Sequence, residues 1–122
     1  MQTWKLSEIP TPGGRTSPVV LFSEDSRAVL IGLEPGQELG EHEVRERAWL
    51  TVLDGAVEIQ DASGRWQTAE SGTLVTFDPG ERHVVRSQGG ARLLLLLAPW
   101  PGDGHYLPGE QPNAFAGRSP AA

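Results

Sequence analysis

Apolar residues fall along this chain in short runs, broken at roughly 8–12-residue spacing by glycine, proline or aspartate. Pro18–Ser23 and Arg27–Leu33 flank Glu24-Asp25, a predicted hairpin turn. Trp49–Leu53 and Ala56–Gln60 flank Asp54-Gly55, a pair strongly favoured in two-residue hairpin turns, and a second hairpin is predicted there. Further strands are predicted at Arg65–Thr68 after Ser63-Gly64, and at Thr73–Phe77 between Gly72 and Pro79-Gly80. Two more, His83–Arg86 and Arg92–Ala98, lie either side of Gly89-Gly90. No segment keeps helical periodicity beyond two turns. About eight short strands at this spacing predict an all-β sandwich or barrel. In Ala56–Gln60, Val57 and Ile59 alternate with Glu58 and Gln60, so one face of that strand is wet. The five leucines at 93–97 do not alternate, which predicts a strand covered on both faces. One face would line the barrel and the other would meet a second sheet or another subunit, so a homodimer is expected.

Length and composition sharpen this picture. The chain has 122 residues, enough for one domain. Three parts are expected: an N-terminal segment 1–17, a β-barrel domain 18–98, and an irregular tail 99–122. The tail is rich in proline and glycine and is expected to be either disordered or draped on the barrel, with Trp100, His105, Tyr106 and Phe115 as candidate anchors. There is no cysteine, which excludes a disulfide framework, a thiolate metal site and a cysteine nucleophile. Sixteen acidic residues against ten basic ones give a net charge of −6, with Lys5 the sole lysine. No cluster of positive charge stands out, so nucleic acid is not an expected partner. No apolar run approaches the ~18 residues of a membrane span, and the start lacks a basic-then-apolar leader. A cytoplasmic protein without membrane association is the expectation.

Two histidines carry the candidate chemistry. His42 lies five residues after Gly36, and Gly55 follows farther on. Gly72, Gly80 and His83 form a second spaced set. This pattern resembles the two motifs of the cupin superfamily, which are small jelly-roll β-barrels. The first motif runs Gly, five residues, His-x-His, three or four residues, Glu, six residues, Gly. The second runs Gly, five residues, Pro-x-Gly, two residues, His, three residues, Asn. The resemblance spans roughly residues 18–98 and implies a cupin-type double-stranded β-helix. It does not name an activity, because the superfamily includes dioxygenases, isomerases, epimerases, storage proteins and sugar-binding regulatory domains.

The departures from the family pattern bear on function. In metal-dependent members, both histidines of His-x-His, the Glu and the second-motif His bind one divalent ion, often Fe, Mn, Ni, Cu or Zn. By position those residues here are His42, Val44, Ala48 and His83, so two ligands are retained and two are apolar. Asp78 takes the proline position and Ser87 the asparagine position. Side chains alternate along a strand, so Glu46 could share the face of Ala48 and complete a metal set with His42 and His83. The alternative is that Glu46 lies in a turn and faces water. His105 is a second candidate for a missing ligand. Arg47 and Arg86 either attract an anionic ligand or pair with neighbouring carboxylates. Trp66 and Phe77 are expected in the core or at an interface.

Inward parity predicts a ligand pocket lined by His42, Val44, Ala48, Leu50, Val52, His83, Val85 and Ser87. It would be mostly apolar, with two imidazoles that can donate or accept protons. Two readings of function follow. One is a binding module that holds a small organic molecule with at most a weak metal site. The other is a metal-dependent enzyme, dioxygenase- or isomerase-like, using His42, His83 and Glu46. A metal-free acid–base enzyme resembling the epimerase branch ranks below both, because the His–Asp pair of that branch is not found.

Overall fold

The computed structural model of the chain describes residues 1–11, 18–39 and 44–102. Its β-branched and leucine-rich runs form β1 (Val19–Ser23), β2 (Arg27–Leu33), β3 (Arg47–Gln60), β4 (Trp66–Glu70), β5 (Leu74–Phe77), β6 (Val84–Arg86) and β7 (Ala91–Ala98). Every pairing between them is antiparallel. Among the described residues a short 3-10 turn, Leu6–Glu8, is the sole helical element, and no helix is long and apolar enough to cross a membrane.

Two sheets share β3. Its first part pairs with β7 on one side and β5 on the other, and β2 and β1 continue the sheet outward from β7. Its last part, Ala56–Gln60, pairs with β4 and β6. A bridge between Glu38 and Arg86 adds the chain before β3 to this second sheet.

Asp54-Gly55 is therefore not a hairpin turn, contrary to the sequence expectation. The pair lies in the middle of one continuous 14-residue strand. The register with β7 slips between Val52 and Asp54, and this bulge carries β3 from one sheet into the other. Gly55 takes φ +78°, and a Cβ there would stand 2.2 Å from the Gly90 carbonyl oxygen. The Asp-Gly signal reports a need for positive φ, which a hairpin turn and a glycine bulge both create. The hairpin turn itself comes later, at Asp61–Arg65. There the Asp61 amide donates to the Arg65 carbonyl, and the Gly64 amide donates to the Asp61 carbonyl.

Alternation along the strands places the core between the sheets. Ala48, Leu50 and Val52 of β3 face inward with Val29 and Ile31 of β2, and Val57, Ile59, Ala69 and Val85 come from the other sheet. Leu93, Leu95 and Leu97 of β7 join them, the first and last fully buried. The outer side of β7 is covered less completely than the unbroken leucine run predicts, since Leu96 is 39% exposed. The N-terminal segment crosses part of that outer face. Arg92 of β7 donates to the carbonyls of Leu6 and Ile9 and to the Thr11 hydroxyl, which ties the segment down.

Residues 99–102 turn back onto the barrel. The Trp100 amide donates to the Asp25 carbonyl at 2.8 Å, and its buried ring lies under the Arg27 guanidinium at 4.5 Å. The other candidate anchors, His105, Tyr106 and Phe115, lie outside the described residues.

The corner at Gly55 yields the first prediction. Gly55→Ala meets both the left-handed backbone and the Gly90 carbonyl, whereas Gly72→Ala meets only the backbone term, at φ +89° with nothing within 4 Å. Urea unfolding should show a loss of about 1 kcal/mol for Gly72→Ala and at least about 3 kcal/mol for Gly55→Ala. Equal losses would contradict the close approach at the corner.

Candidate functional site

The two motif regions meet at the edge of the barrel. Val44 and Ala48, which stand where the family pattern has metal-binding side chains, are 4% and 1% exposed and belong to the apolar core. The Val44 carbonyl accepts a 2.6 Å hydrogen bond from the Gly80 amide, which joins the first motif region to the turn of the second. That turn is closed by two more bonds: the Glu81 amide donates to the Asp78 carbonyl, and the Asp78 amide donates to Glu81 Oε1. It delivers the chain into β6 with His83, Val85 and Ser87 alternating inward, all three buried.

His83 is held on two sides. Its ring stacks on Phe77, with centroids 3.8 Å apart and planes 8° from parallel. Its Nδ1 lies 3.2 Å from the Glu81 carbonyl oxygen. A carbonyl can only accept, so Nδ1 is the donor in this contact. Ser87 plays a different part. Its hydroxyl donates to the Ala56 carbonyl at 2.7 Å, its amide donates to Gln37, and its carbonyl accepts from Gly36, so it anchors the start of the first motif to β3. Leu50, Val52 and Val85 pack in the core.

Glu46 is completely buried, which overturns the reading that it faces water. Its Oε2 accepts a 2.7 Å hydrogen bond from the Gly102 amide, so the carboxylate holds the segment that follows β7. His42 and His105 lie outside the described residues. Arg47 pairs with Asp78, and Arg86 pairs with Glu58 at 3.2 Å while lying 3.7 Å over the half-exposed Trp66 ring. Of the two alternatives for these arginines, the structure shows pairing with neighbours.

Two adjoining clefts open beside the Phe77–His83 pair. The larger, about 360 Å³, lies in the angle between the sheets. Its walls include Ile59, the exposed Gln67 and the buried Ala69 of β4, and Val75 and Phe77 of β5, with Asp61, Arg65 and Glu81 among its polar residues. The smaller, about 240 Å³, is bounded by Gln60, Asp61, Arg82 and His83 among others. Sequence reasoning missed Arg65, Gln67 and Glu81. The alternation that puts 65, 67 and 69 on one face was the available signal, but β4 reads Trp-Gln-Thr-Ala-Glu and its polar residues conceal which face meets the cleft.

The architecture is that of a small jelly-roll barrel, two antiparallel sheets wound around one core with a motif turn at the mouth. A family model described as Cupin domain matches residues 29–99, and the chain belongs to that family. Solved structures agree on the fold. A protein with a double-stranded β-helix domain from Klebsiella pneumoniae superposes with a TM-score of 0.75 at 21% identity, over 84% of this chain and 93% of that one. A cupin superfamily protein from Desulfitobacterium hafniense gives 0.70 at 15% identity, over 77% and 86%. An RmlC-like cupin protein from Desulfovibrio desulfuricans gives 0.73 at 21%, over 81% and 97%. No curated protein matches the sequence.

Cupins often hold a divalent metal, and the described residues do not fit one. Two of the four family ligand positions carry buried hydrocarbon, and Glu46 is engaged by the Gly102 amide. Among the described residues, no three His, Cys, Asp or Glu side chains gather closely enough to share an ion, whereas a catalytic site normally offers three protein ligands.

Asp61, which borders both clefts, carries a pH prediction. Its Oδ1 accepts from the Ser63 hydroxyl, the Ser63 amide and the Arg65 amide. The Ser63 hydroxyl and the Arg65 amide hold its carboxyl below the ordinary 3.8, with a smaller pull from the Arg65 charge. A depressed folded-state pKa means the ionised form stabilises the fold above the unfolded value, and that contribution is lost as pH falls through the folded one. The melting-temperature gap between wild type and Asp61→Asn should be present at pH 7 and close as the pH drops below 3.8. A gap independent of pH would contradict this role.

Proposed function

We propose that this cupin binds a small organic molecule at the mouth of its barrel, without a tightly held metal ion. The observation that carries the reading is the pair of clefts meeting at Asp61 beside the Phe77–His83 stack. The larger has the size of a small-molecule site and mixes an apolar floor with a few polar groups, the usual make-up of such sites. His83 lines the smaller cleft with its ring held by the Phe77 stack and the Glu81 carbonyl, which gives that wall a fixed aromatic surface. A metal-dependent enzyme built on His42, His83 and Glu46 is the competing reading, and the engagement of Glu46 by Gly102 weighs against it.

The test is a thermal-shift screen of small organic molecules in the presence of EDTA, run on wild type and on Gln67→Trp, which fills the larger cleft from an exposed position. Ligands that raise the melting temperature of wild type but not of the variant support the reading. Hits that vanish when EDTA is added favour the metal-dependent enzyme.

A second copy of the chain is the proposed partner. The outer face of the first sheet carries Trp49 opposite Leu96 and Thr51 opposite Leu94 and Leu74, with no charged residue among these pairs. Leu74 is 59% exposed there. Contiguous apolar surface of this kind favours association. Sedimentation should give a dimer mass for wild type and a monomer mass for Leu96→Glu, and a wild-type monomer would overturn the pairing.

A further inference from the structure

We infer that the occupant of the larger cleft is an organic amine, a molecule with one ammonium group on an apolar body. This rests on the small-molecule reading and adds the chemistry that is recognised. Ile59, Ala69, Val75 and Phe77 supply apolar contact for the body. Against that hydrocarbon a hydrated inorganic cation would lose water without replacement, which selects for a cation carrying its own apolar surface.

The charges select the sign. Asp61 and Arg65 sit on one turn of the cleft wall and carry opposite charges. Glu81 supplies the remaining charge. Its Oε1 accepts from the neutral Asp78 amide, a bond that fixes the carboxylate's position without cancelling its charge. The cleft is thus negative overall, and the net −6 of the chain reinforces a field that draws cations and repels anions. Among the described residues Arg65 is the one cation lining the cleft, so a carboxylate-bearing ligand would meet one positive charge and face two carboxylates.

The experiment is an NMR titration of the full chain at neutral pH with benzylamine, benzyl alcohol and benzoate, which share a ring and differ in charge. Glu81→Gln retains an oxygen for the Asp78 amide, so the turn is preserved while the charge is removed. Benzylamine should bind most tightly of the three. Glu81→Gln should weaken it about threefold to fivefold and Arg65→Gln should tighten it by a similar factor, both effects shrinking at high salt. Gln67→Trp should abolish binding of all three probes.

Benzoate binding more tightly than benzylamine, or charge substitutions with reversed signs, would overturn the amine assignment and leave the small-molecule reading standing. Equal binding of all three probes, indifferent to the substitutions, would overturn it in the same way. Failure of wild type to bind any probe would count against both.

Discussion

The structure depends on one strand belonging to two sheets. β3 brings its first residues against β7 and β5 and its last against β4 and β6, so the interior exists because this strand bends at its centre. The bend is made by a bulge and a glycine at positive φ whose missing side chain lets the Gly90 backbone approach. The inward residues on either side of it, Leu50 and Val52 before and Val57 and Ile59 after, all enter one apolar cluster. A straight β3 would give two half-covered sheets and no angle between them. The larger cleft lies in that angle, so fold and candidate site share a single cause.

Around the mouth, hydrogen bonds to main-chain groups join the motif regions. Gly80 to Val44 joins the two motif regions, and Ser87 ties Gly36 and Gln37 to β3 through Ala56. The Glu81 carbonyl accepts from His83 Nδ1, while stacking on Phe77 fixes the ring plane. Val44 and Ala48 add burial at positions where the family pattern has ligands. The geometry of a cupin mouth is thereby maintained by main-chain bonds and apolar packing, and a bound organic molecule would meet a preformed surface.

Much of this was legible in the sequence. Strand content, the inward parity of Ala48, Leu50, Val52 and Val85, and the family motifs all followed from alternation and glycine spacing. The Asp54-Gly55 reading went astray because a tight turn and a glycine bulge demand the same backbone conformation, and only the long-range pairing with β7 tells them apart. Glu46 was ambiguous for a related reason. Its burial depends on Gly102, 56 positions away, whose amide it accepts. Glu81 gave no local sign of a site, since its approach to Arg65 arises only when the turn at Asp61 and the turn at Pro79-Gly80 converge on one cleft.

The proposal that this barrel keeps the cupin shape without a tightly held metal ion is open to direct test. The most direct measurement is elemental mass spectrometry of untagged protein purified without chelator, beside a His42→Ala/His83→Ala double variant. The expected result is a transition-metal content far below one ion per chain, indistinguishable between the two proteins. Near-stoichiometric iron, manganese, nickel, copper or zinc in wild type alone would contradict it.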